Sequence, residues 1–98
     1  MAAITITEFR HFANDSFGGP APAPLMPPLA EQVVAIGLTS VQSAAFSSST
    51  TLIMVHADAD CHLAFGDDPT ADATLHQMGS GETRFYGVVP GSKIAVIG

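Results

Sequence analysis

Cationic side chains are scarce in this 98-residue chain: Arg10, Arg84 and Lys93 stand against nine Asp and Glu. Three scattered cations do not neutralise a run of phosphates, so direct nucleic-acid binding is not expected. The net charge of −6 argues equally against docking on an anionic membrane surface. Cysteine is rarer still. Cys61 is alone, which excludes an intrachain disulfide and a multi-cysteine zinc site. No window approaches the roughly 18 uninterrupted apolar residues of a membrane span. The opening MAAITITEFR has neither a basic start nor an apolar run of secretory-signal length, so an intracellular, reducing origin is expected. Helical periodicity is also missing, because nine glycines and seven prolines break the chain into short pieces. The stretch 28–36 is the nearest helical candidate, and its Val33, Val34 and Ile36 favour a strand.

What is present is apolar. Hydrophobic residues make up 47% of the chain and charged ones 12%, a composition opposite to that of disordered proteins. A chain of this length buries only about 60–65% of its unfolded surface, so part of that apolar surface is expected to be shared with another chain.

The pattern predicts an all-β fold. Ala3–Phe9 alternates, with Ile4, Ile6 and Glu8 on one face and Thr5, Thr7 and Phe9 on the other. Further strands are predicted at Gln32–Leu38, Val41–Phe46, Thr51–Ala57 and Cys61–Gly66, with a short edge strand at Thr74–Met78. Thr83–Val89 and Lys93–Ile97, joined through Pro90-Gly91-Ser92, read as a hairpin. Seven or eight strands with turns every 8–12 residues predict a small β-sandwich or jelly-roll-like barrel. Between the first two strands, residues 10–29 hold a dense proline tract, which favours an extended path and blocks ladder pairing. The chain therefore divides into 1–30, a strand followed by an extended Pro-rich N-terminal arm, and 31–98, the β-domain. The arm region carries apolar anchors at Phe9, Phe12, Phe17, Leu25 and Met26. It either folds back over its own barrel or reaches a neighbouring subunit. On the second reading, deleting residues 1–28 leaves a foldable β-domain that no longer binds its partner.

Three constellations invite a chemical reading. His56, Asp58, Asp60, His62, Asp67 and Asp68 offer metal-ligand types, but position 12 of an EF-hand loop would be Pro69 and no His-x-His occurs. No metal and no cofactor is expected. Cys61 and His62 are strand neighbours and point to opposite faces, so they make no nucleophile–base pair, and no catalytic residue is assigned. The acids Asp58, Asp60, Asp67, Asp68 and Asp72 fall in two turns flanking one strand. They form either a solubilising rim or a patch for a basic partner.

The stretch Asp58-Ala-Asp-Cys-His-Leu-Ala-Phe-Gly-Asp-Asp-Pro-Thr-Ala71 resembles a pattern in small structural proteins of tailed bacteriophages, as does Tyr86-Gly-Val-Val-Pro-Gly-Ser-Lys-Ile-Ala-Val-Ile97. The similarity covers about Thr50 to Gly98. It implies a virion component, most like a head decoration (cement) protein, made in the host cytoplasm and placed on the capsid surface. Its implied partners are the major capsid protein and further copies of itself, as a trimer. Two alternatives stand beside it: a head–tail joint or tail-fibre protein, and a small cupin-like metal- or ligand-binding module using His56, His62 and His76.

Overall fold

The computed structural model describes residues 2–14, 20–24, 26–74 and 76–98, with the backbone alone at 12–14 and 20–24. Among these residues the fold is all-β: two four-stranded antiparallel sheets face each other, and a two-stranded ribbon stands apart from both. The first sheet runs β4 (Ala30–Ala35), β1 (Ala3–Phe9), β6 (Leu52–Ala57), β9 (Thr83–Gly87). The second runs β5 (Val41–Gln42), β10 (Lys93–Ile97), β7 (Cys61–Gly66), β8 (Gln77–Met78). The ribbon pairs β2 (Phe12–Asn14) with β3 (Pro20–Pro24). The β-sandwich predicted from the strand pattern is thus the fold.

Alternation sets which side chains fill the space between the sheets. Ile4 and Ile6 of β1 face inward, opposite Ala57 and Val55 of β6 in the register. Cys61 and Leu63 of β7 and Ile94 and Val96 of β10 meet them from the other sheet. Each fully buried side chain of this kind contributes about 1.5–3 kcal/mol of transfer free energy. Ala95 points away from the core yet is completely buried. The loop after β7 covers it: Gln42 Nε2 donates to Asp68 Oδ1 and to the Pro69 carbonyl, and Ala71 N donates to Ser40 Oγ.

Three expectations need correction. First, the N-terminal strand grouped with the arm in 1–30 is β1, which lies inside the first sheet between β4 and β6, so residues 3–9 share one core with residues 31–98. A boundary at residue 30 would cut through the core, and deleting 1–28 would separate β4 from β6. Second, the proline tract does pair. Prolines at 20, 22 and 24 recur every second residue, so the missing N–H groups all lie along one edge of β3 and the other edge keeps its donors. The ribbon is an elaboration of the β1–β4 hairpin, because Leu29 N donates to the Glu8 carbonyl directly beyond it. Third, β9 and β10 are not a hairpin; they lie in different sheets. Ser92 N donates to the Val89 carbonyl with Gly91 at φ +81°, a type II turn with proline at its second position. Two-residue hairpin turns need positive φ where Pro90 fixes it near −65°. This turn sends the chain across to the other sheet.

Candidate functional site

An aromatic cleft opens at one end of the sandwich, where β9 of the first sheet overhangs the end of β7 in the second. Its volume is about 540 Å³, and Phe65, His76, Tyr86, Val88, Val89 and Asp67 help to line it. Phe65 sits in register with Ile94, at the end of the inward-facing row of β7. Tyr86 and Val88 pack on the core from β9 and from the segment just beyond it. The rings of Phe65 and Tyr86 are 4.9 Å apart and those of Phe65 and His76 5.6 Å apart, tilted or edge-on as aromatic quadrupoles prefer.

His76 is the strained member. Its φ of +48° lies in the left-handed region, which few residues other than glycine adopt and which Asn, Asp and His enter more readily than the rest. Two hydrogen bonds hold it there: Leu63 N donates to its carbonyl, and its Nε2 lies 2.9 Å from the Tyr86 hydroxyl. Arg84 is hydrogen-bonded to the same tyrosine and paired with Glu82, which together raise its pKa further. Tyr86 thus stands between the Arg84 guanidinium and the His76 ring. The row Glu82–Arg84–Tyr86–His76 fixes the cleft wall. Ser92 Oγ, also at the cleft, donates to the Val89 carbonyl at 2.6 Å and closes its own turn. Among the described residues the cleft shows no nucleophile held by a base.

The sequence-predicted residues scatter. Phe9 is 2% exposed and belongs to the chain's own core, not to an outward-reaching arm. Met26 is 65% exposed. Phe17 and Leu25, and the Phe12 side chain, lie outside the described residues. Asp58 accepts from Ala3 N and Asp60 from Ser80 N, at one end of β7. Asp67 and Asp68 lie beyond its other end, about 20 Å away for six residues of strand. Asp72 accepts from Thr74 N and Oγ1, which lowers its pKa. Four of the five acids therefore accept hydrogen bonds that fix turns and loops, and the group is not one continuous patch. His56 bonds Thr83 on the outer face of the first sheet, His62 lies on the outer face of the second, and His76 is at the cleft. Among the described residues no three His, Cys, Asp or Glu groups converge on a point. Cys61 is completely buried; desolvation first, then the charges of Asp60, Glu82 and Asp58, push its thiol pKa up.

Sequence reasoning missed the cleft. Phe65, His76 and Tyr86 come from three different strands or their flanks, and only the pairing of two sheets joins them. One signal was legible: Pro90-Gly91 forbids the hairpin that would have kept Tyr86 away from Phe65. No family model, curated protein or solved structure matches the chain.

Proposed function

We propose that this chain is a structural protein of a tailed-phage virion, a head decoration protein that binds where major capsid subunits meet. The observation that carries the reading is the amount of apolar side chain left in solvent by so small a sandwich. Leu38 is 97% exposed, Val89 70%, and Val33 and Met26 65% each. Each of these side chains gains about 1.5–3 kcal/mol when a partner fully buries it. The resemblance adds support. Its two stretches include β7 and β10, which pair along their length from Lys93 opposite Gly66 to Ile97 opposite His62. Residues far apart in the chain thus build one continuous piece of sheet, as a shared structural unit would.

Incubation of the purified protein with emptied heads, followed by co-sedimentation and copy counting by electron cryomicroscopy, tests the reading. Copies distributed over the whole shell are expected. A single ring at the head–tail vertex would assign the protein to the joint, and absence from heads and tails alike would end the virion reading.

A further inference from the structure

The cleft and the segment Met26–Leu29 lie at the same end of the sandwich but at opposite edges of its first sheet. The register places Leu29 beyond Glu8 and Ala30, on the β4 edge, while Gly87 and the cleft lie on the β9 edge. Three strand spacings separate those edges, roughly 14 Å at about 4.8 Å each. The backbone bond from Leu29 to Glu8 holds the segment on its own side, so within one copy the two do not meet.

Their chemistries match. Met26 and Leu29 are exposed, and with Pro27 and Pro28 they give a short, stiff apolar segment. Proline rings pack flat on tyrosine and phenylalanine, and their fixed φ limits the entropy the segment loses on binding. A methionine sulfur adds favourable contacts with aromatic edges. Charge matches as well. Arg10 lines the notch beside Met26, and the carboxylate of Asp67 stands at the cleft. Among the described residues neither forms an ion pair.

We propose that the occupant of the cleft is the Met26–Leu29 segment of a second copy of this chain, with Arg10 of that copy beside Asp67. Two different patches on each copy make this a heterologous contact, which repeats head to tail and closes into a ring where the rotation divides a full turn. Each cleft is then completed by the neighbouring copy. The inference stands on the chain's own surfaces, and the isolated protein reads it without any shell, so its failure and that of the decoration reading are separate.

Sedimentation velocity on the full-length protein tests it, with variants at the exposed positions Met26 and Val89. The unmodified chain self-associates as concentration rises. Met26→Glu and Val89→Glu each weaken association about 10- to 100-fold, while circular dichroism and melting stay unchanged. Mixed in equal amounts, the two variants keep one intact junction, Met26 of the Val89→Glu copy in the cleft of the Met26→Glu copy. The mixture forms a dimer that does not grow. Charge reversal adds a second reading: Arg10→Asp and Asp67→Arg each weaken association a few-fold, and together they restore it. A chain that remains monomeric at its solubility limit, variants that associate as the unmodified chain does, or a mixture that yields no dimer overturns the proposal.

Discussion

Residues 3–9 and residues 20–24 are both short extended segments with a strict two-residue repeat, yet they end in opposite situations. β1 repeats Ile4, Ile6 and Glu8 on one face and keeps a backbone donor at every position, so it pairs on both edges and sits in the middle of the first sheet. β3 repeats proline, so one edge lacks donors and only β2 pairs with it. A repeat of apolar side chains chooses a face. A repeat of prolines chooses an edge. The same period in the same region of the chain thus yields a core strand in one case and a peripheral ribbon in the other.

The strongest way to break this contrast is by excision. Removing residues 1–28 takes away β1 and should abolish cooperative thermal unfolding followed by circular dichroism. Replacing 12–24 with a short Gly-Ser turn should leave a folded sandwich, because Glu8 and Leu29 are already hydrogen-bonded neighbours. Equal damage from both would show that the ribbon is integral to the core.

Point substitutions sharpen the contrast. Ile6→Ala should cost about 2–5 kcal/mol in urea unfolding, the range for a buried aliphatic side chain that leaves a cavity. Pro22→Ala should change stability by less than about 0.5 kcal/mol. It should instead raise light scattering on prolonged incubation, because it restores a donor to an open strand edge. Between these extremes lies Glu8, a buried carboxylate that accepts from Ser47 N and Thr50 Oγ1, both at 2.8 Å. Glu8→Ala strands both donors and should cost about 1–3 kcal/mol, whereas Glu8→Gln keeps one acceptor oxygen and should recover part of that in the same urea titration.

The smallest effect is expected at the far edge of the β1 sheet. The Gly79 backbone bond, then the Arg84 pair, hold the Glu82 carboxyl below the usual carboxylate range. A depressed carboxyl stabilises the fold above its unfolded pKa, and that contribution fades as pH falls through the lower folded value. Glu82→Gln should therefore lower the melting temperature slightly at neutral pH and flatten its decline in acid. Surface exposure and salt keep the difference small, and added salt should shrink it.

Local rules were legible where one strand's own pattern decided the outcome. Ala3–Phe9 and Cys61–Gly66 have their predicted limits because each carries a two-residue repeat closed by a turn. Val41–Phe46 shortens to Val41–Gln42 because Ser43 and Phe46 bond across to Ile94 and Ser92 as an irregular edge. β9 and β10 do not form the expected hairpin because Pro90 imposes a negative φ where a two-residue hairpin turn needs a positive one. The cleft lay beyond any such rule, since Phe65, His76 and Tyr86 carry no shared spacing in the chain.

By itself the sequence determined the class of structure: proline and glycine density removed helices, and alternation set which side of each strand turns inward. Tertiary structure alone decided which strands became neighbours, put β1 at the centre of a sheet, separated the acids to opposite ends of β7 and brought three rings together. Side-chain period fixes the face of a strand, a local property. Partner choice depends on contacts between residues dozens of positions apart, whose free energy appears only once both sheets have formed.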